Sequence, residues 1–170
     1  RIYVLVFSLL ICYYTFMSIF FHIDVNSAFL SWSALEQLKQ GSSVDLREIP
    51  SIIGGDSSNR HGIVLANSLP AKAYGIRIAE PISDALKKCP NLTIQAPDHS
   101  LYKQRSNELM ELLSNICPDI EQVSIDECYM DYTPIMGKYT SPEAAAHIIK
   151  DSVYEQFGFT VNVGISDRKV

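Results

Sequence analysis

Hydrophobic positions fall along the chain in blocks, and the period of each block predicts an element. Residues 18–24, Ser-Ile-Phe-Phe-His-Ile-Asp, are apolar, β-branched and aromatic, which predicts a short buried strand. From Ser27 the period turns helical. Ser27 stands where a cap belongs, Ala28, Trp32 and Leu35 share one face, and Gly41 stops the run. Residues 49–54 and 63–66 read as two strands of a hairpin around a polar turn at 55–62. Residues 70–74 predict a short helix ended by Gly75, and Ser83 is positioned to cap another that stops before Pro90. A longer amphipathic helix spans 101–116, with Leu109, Leu112, Leu113 and Ile116 at core spacing. Two short strands follow at 121–125 and 128–132, joined at Asp126-Glu127. Ser141 then caps a helix with Pro142 in its first turn and Ala145, Ile149 and Val153 inward. The apolar stretch 160–165 reads as a last strand, central in its sheet or buried on both faces.

After residue 98 the order is helix, strand, strand, helix, strand. With the strand at 18–24 in front, this is a ferredoxin-like split βαβ arrangement of the α+β class. Residues 28–97 are an insertion after the first strand. The expected division is therefore an extension at 1–16, a main unit of 17–27 with 98–170, and a smaller unit of 28–97.

The 170 residues are 47% hydrophobic and 19% charged, enough to bury one domain's core and to exclude wholesale disorder. The net charge is -5, the opposite sign to most free-standing nucleic-acid modules. Cys12, Cys89, Cys117 and Cys128 show no zinc-site spacing, which favours free thiols in a reducing, cytoplasmic setting. Residues 2–21 carry no charge and are long enough to span a bilayer. The chain begins with Arg1, however, and Met17 lies inside the run. A start at Met17 leaves 1–16 as upstream sequence and 18–24 as a strand, and this reading is favoured over a membrane anchor.

The candidate chemistry lies in three acids. Asp24 ends the first strand, and Asp126 and Glu127 sit between two later strands that this topology makes neighbours. Two carboxylates ~4 Å apart repel by about 4 kcal/mol at an effective dielectric near 20. Converging acids therefore call for a cation or a shared proton. Hard oxygen donors suit Mg2+, and two such ions would serve a phosphoryl-type transfer. An Asp-Glu pair at a turn is in itself an ordinary solvated feature. Two acids inside the apolar stretch Ser-Ile-Asp-Glu-Cys-Tyr-Met-Asp are not, because unpaired burial is costly.

That stretch, 124–131, resembles the S-I-D-E-x-Y-x-D signature of the Y-family (UmuC/DinB-like, DNA polymerase IV-type) translesion DNA polymerases. Three further segments are similar to family elements, in family order: Phe-His-Ile-Asp-Val-Asn-Ser-Ala-Phe at 21–29, Leu-Pro-Ala-Lys-Ala-Tyr-Gly-Ile at 69–76, and Val-Gly-Ile-Ser-Asp-Arg-Lys at 163–169. The resemblance covers nearly the whole chain from Ser18. It implies a palm at 17–27 and 98–170 and fingers at 28–97. It implies template-directed DNA synthesis across damage, as in DNA repair and the SOS response, by attack of a primer 3′-hydroxyl on a dNTP.

By the same resemblance Asp24, Asp126, Glu127 and the Val25 carbonyl would hold two Mg2+ ions. Phe29 would be the steric gate against a 2′-hydroxyl, and Lys72 and Lys169 would meet the triphosphate. Primer-template DNA and dNTP are the implied partners. A sliding clamp would be met through C-terminal parts that end beyond Val170, as would the thumb and the DNA-gripping domain. A chain ending there is expected to bind DNA weakly and polymerise little alone. Leu69, Lys72 and Arg168 depart from the family's usual Tyr, Arg and Asn, which bears on nucleotide affinity rather than on the chemistry. The alternative is a catalytically silent polymerase-fold interaction module. A nucleotide cyclase reading of Gly54-Gly55-Asp56 fails, since Ser57 and Ser58 follow where Glu and Phe are required.

Overall fold

A computed structural model describes residues 18–55 and 62–169. The apolar run up to Met17, Asp56 and most of the polar turn at 55–62 lie outside the described residues.

Two sheets organise the chain. The larger contains β1 (Phe20–Val25), β5 (Ile120–Gln122), β6 (Glu127–Asp131) and β7 (Val161–Ser166), in the order β5-β6-β1-β7. Every pairing in it is antiparallel. Two long helices, α4 (His99–Ile116) and α5 (Pro142–Phe157), connect these strands in the split βαβ manner. The smaller sheet contains β2 (Ser51–Gly54), β3 (Val64–Asn67) and β4 (Thr93–Gln95), in the order β3-β2-β4. It carries two short helices, α2 (Leu69–Ala73) and α3 (Ile82–Lys88), and α1 (Ala28–Lys39) joins it to β1. The α+β, ferredoxin-like expectation agrees with this arrangement.

Alternation along β1 decides which side of the large sheet is dry. Phe21, Ile23 and Val25 are buried, while Phe20, His22 and Asp24 between them are half-exposed. The dry face packs on Tyr102, Leu109 and Leu113 of α4 and on Ala145, Ile149 and Val153 of α5. Asp98 caps α4 by accepting from the Leu101 N–H at 3.0 Å, so that helix starts before the expected 101. Ser141 caps α5 through the Ala144 N–H, Pro142 opens it, and Gly158 ends it at φ 76°, a left-handed conformation that suits glycine.

Several elements differ from the sequence expectation. β7 is an edge strand whose residues are mostly half-exposed or exposed, not a central one. Its apolar Val161, Val163 and Ile165 share one face, and among the described residues only β1 pairs with it. β5 ends at Gln122 rather than at 125, so a turn rather than a strand leads into Asp126. The three-residue β4 was not anticipated and pairs parallel with β2. Ser83 does not cap α3, which starts at Ile82 after Pro81. Ser27 stands at the start of α1 but makes no side-chain cap bond, and its φ is 47°. Finally α1, assigned to the insertion, serves both units: Ala28 and Trp32 enter the large core, and Leu30 and Ala34 a small one with Ile53 and Ala66. Among the described residues no helix is long and apolar enough to cross a membrane.

Candidate active site

The end of β1 is where the acids gather. Strand register sets Asp24 directly opposite Glu127 on β6 and Asn162 on β7. The next residue, Val25, donates its N–H to the carbonyl of Asp126 at 3.0 Å, which ties the turn before β6 to the end of β1. Ser124 shapes that turn. Its hydroxyl donates to Asp126 Oδ1 at 2.7 Å and lies 3.3 Å from the Asp126 N–H, from which it accepts.

Asp24, Val25 and Asp126 form one wall of a cleft of about 380 Å³. The smaller unit contributes Leu65 and Ala66 of β3, Lys72 of α2 and Ile78 of the turn between α2 and α3. Phe29 also lines the cleft. Its ring stacks on Tyr102 with centroids 4.4 Å apart and 9° between planes. Tyr102 is itself fully buried and shares a 2.9 Å hydrogen bond with Ser33, so the stack has a rigid base.

The electrostatics of this wall are uncompensated. The Asp24 carboxyl is held above its ordinary range, first by burial and then by the Asp126 and Glu127 charges, with His22 pulling slightly the other way. Such a site favours a proton or a cation. The donor set fits a hard divalent ion held by two carboxylates, its remaining positions open to a carbonyl, water or phosphate, which is how Mg2+ is commonly bound. The three acids do not form a closed cage. Among the described residues no group of three or more His, Cys, Asp and Glu side chains is placed to hold an ion unaided. Glu127 instead approaches His22, with Oε2 3.4 Å from Nε2.

Of the residues singled out from sequence, Asp24, Val25, Phe29, Lys72 and Asp126 thus line one cleft. Glu127 flanks it on the sheet's open face. Lys169 is not brought to it. β7 runs from Val161 beside Val25 to Ser166 beside Phe20, so Lys169 emerges at the far end of β1, where it pairs with Glu121 and lies 5.5 Å over the Phe20 ring. Four steps along the strand take Phe20 to Asp24, about 13 Å. Leu65, Ala66, Ile78, His22 and Ser124 were not singled out as cleft or near-cleft residues. For His22 a signal existed: it lies two residues from Asp24 and so on the same face. For Ile78 none did, because its place depends on how the smaller unit folds over.

The solved structures that resemble this chain are Y-family DNA polymerases. A post-insertion binary complex of Dbh DNA polymerase superposes with a TM-score of 0.75 at 24% identity, covering 89% of this chain and 43% of that one. DinB from Sulfolobus solfataricus gives a TM-score of 0.73 at 24% identity, with the same coverage. The fold is therefore that of the Y-family palm and fingers. The sequence matches the impB/mucB/samB family over residues 23–170, and the chain belongs to that family. It is 50% identical over 152 residues to DNA polymerase IV of Clostridium acetobutylicum and 38% identical over 151 residues to DNA polymerase IV of Alkaliphilus oremlandii. Each match covers 89% of this chain but only 38% and 36% of the relative, so the chain spans little more than a third of their length.

Proposed function

We propose that this chain carries the nucleotidyl-transfer site of a translesion DNA polymerase, acting on primer-template DNA and a dNTP. The single observation that carries the reading is the cleft of about 380 Å³ that Asp24, Asp126, Lys72 and Phe29 line together. In the reaction the primer 3′-oxygen attacks the α-phosphorus, the new P–O bond forms, and the bond to the bridging oxygen breaks to release pyrophosphate. Mg2+, when bound, neutralises charge on the attacking and leaving oxygens. Asp24, Asp126 and the Val25 carbonyl would hold it, and Glu127 would complete the site from the primer side. Lys72 meets phosphate as a point charge from the fingers wall. Phe29, pinned on Tyr102, lies under the sugar and excludes a 2′-hydroxyl. The rest is positioning, the larger part of catalysis in phosphoryl transfer.

Calorimetric titration of dNTP into this chain tests the reading. Binding is expected to need Mg2+ and to disappear in Asp126→Asn. Binding indifferent to both would leave the fold as a silent interaction module.

A further inference from the structure

We infer that Gln122 is a positioning residue that anchors the Asp126 turn to helix α4, acting through Ser124. The inference rests on the proposed function only for the job it gives Asp126. The Gln122 side-chain amide donates in two directions, to Ser106 Oγ on α4 at 3.0 Å and to the Ser124 carbonyl at 2.8 Å. Ser124 Oγ then donates to Asp126 Oδ1 at 2.7 Å, and the Asp126 carbonyl accepts from Val25 N–H at 3.0 Å. A continuous line of hydrogen bonds thus runs from the core-facing side of α4 to the end of β1.

Two features make this line more than incidental. Ser106 is 2% exposed on a helix face otherwise buried through Tyr102, Leu109 and Leu113. A buried hydroxyl is costly without a partner, and Gln122 supplies one. β5 is also a three-residue edge strand that ends at Gln122, and the turn that follows is closed on β6 alone, by the Val123 and Ser124 N–H groups donating to the Glu127 carbonyl at 3.0 and 3.3 Å. The amide adds what those bonds lack, a tie from the turn to helix α4. Removing one partner of a carboxylate that holds a metal typically costs ten- to a hundredfold in metal affinity. Gln122 acts one bond further out and on the surface, so a loss of about threefold is expected on its removal, and about tenfold for Ser124→Ala.

The test reads the turn without metal and the site with it. In Gln122→Met, which keeps the length and loses both donors, amide hydrogen exchange at Val25 should quicken severalfold while Phe21 and Ile23 stay unchanged. Mn2+ affinity, measured by electron paramagnetic resonance, should fall about threefold. Ser106→Ala should match Gln122→Met, and Ser124→Thr should bind as the parent does. The inference is overturned if Val25 exchange or Mn2+ affinity in Gln122→Met equals that of the parent, or if Phe21, Ile23 and Val25 quicken together, which marks general destabilisation. Should the parent chain bind no Mn2+ at all, the polymerase reading falls, and Val25 exchange alone decides the anchor.

Discussion

Truncating Phe29 to Ala separates a gate from a piece of core. The ring is half-buried and lines the cleft, and its inner face stacks on Tyr102 at 4.4 Å. Full burial makes Phe→Ala cost about 3–5 kcal/mol, and a stacked pair adds about 0.5–1.5 kcal/mol beyond area. Half of that burial, with the stack lost, gives a stability cost of about 2–4 kcal/mol. This appears as a drop in Tm of about 4–16 °C for a domain this size. The functional effect is separate. A pocket that merely tolerates or rejects one added hydroxyl discriminates by about a hundredfold. In Phe29→Ala the ratio of dGTP to GTP affinity, measured by calorimetry in Mg2+, should therefore fall by up to about a hundredfold. It should fall chiefly because GTP binds better, not because dGTP binds worse. Phe29→Tyr keeps the ring and should keep the ratio. A lowered Tm with an unchanged dGTP-to-GTP ratio would refute the gate and return Phe29 to plain packing.

Three further outcomes follow from the same geometry. Because the Asp24 carboxyl is raised above 3.8 in the folded chain, the fold binds that proton more tightly than the unfolded chain does. Its cost is absent below 3.8 and grows as pH rises through the raised value, so in EDTA the Tm of Asp24→Asn should exceed the parent's at pH 7 and converge with it toward pH 4. A variant less stable than the parent at pH 7 contradicts this. Lys72→Ala should weaken dNTP binding about fivefold at moderate salt, and Lys72→Arg should bind at least as well as the parent because its fork meets phosphate in two places; equal binding by Lys72→Ala would remove Lys72 from the site. Burial pushes the Cys128 thiol up to about 12, with the Glu127 charge adding to it. Mass spectrometry after maleimide treatment at pH 8 should find Cys128 unlabelled in the native chain and labelled in urea.

The strand pattern and the motif around Asp126 were legible because both are local. Alternation in 20–25 and the 3.6-residue period in 142–157 need no knowledge of the rest of the chain. β7 misled because an edge strand with a short apolar face has the same composition as a central one, and only pairing distinguishes them. β4 has three residues, below the length at which periodicity carries a signal, and it pairs in parallel with a strand some forty residues away. Within the site, Asp24 and Asp126 were readable from topology. The turn of Glu127 toward His22 was not, since it depends on side-chain rotamers on an open face. The role of Lys169 rested on the motif alone, and a motif gives sequence order and no direction. β7 runs from Val161 beside Val25 to Ser166 beside Phe20, away from Asp24.

The cleft exists because two hydrophobic cores meet at one seam. Phe29 and Trp32 on α1 pack into the large core, while Leu30 and Ala34 on the same helix face Ile53 and Ala66 of the smaller unit. A helix wedged between two sheets sets their separation, and the gap left at its start is the cleft that Asp24 and Lys72 both line. The strain is local and opposed. Ser27 holds a left-handed backbone at φ 47° while its carbonyl still accepts the first bond of α1 from Ser31 at 2.9 Å. Asn26 holds that corner from the other side. Its amide donates to Thr160 Oγ1 at 2.9 Å, and its carbonyl oxygen accepts from Asn162 at 2.8 Å. The edge strand β7 thus bonds the backbone corner that follows the two β1 residues of the site. An Asn26→Ala chain loses both bonds, and the effect belongs at the corner: Ser31 exchange quickens, and the cleft loses the rigidity that lets Phe29 discriminate. Position 26 therefore works through amide hydrogen bonding in this chain, and an acid there would keep the Thr160 bond only by reversing it, with the hydroxyl donating.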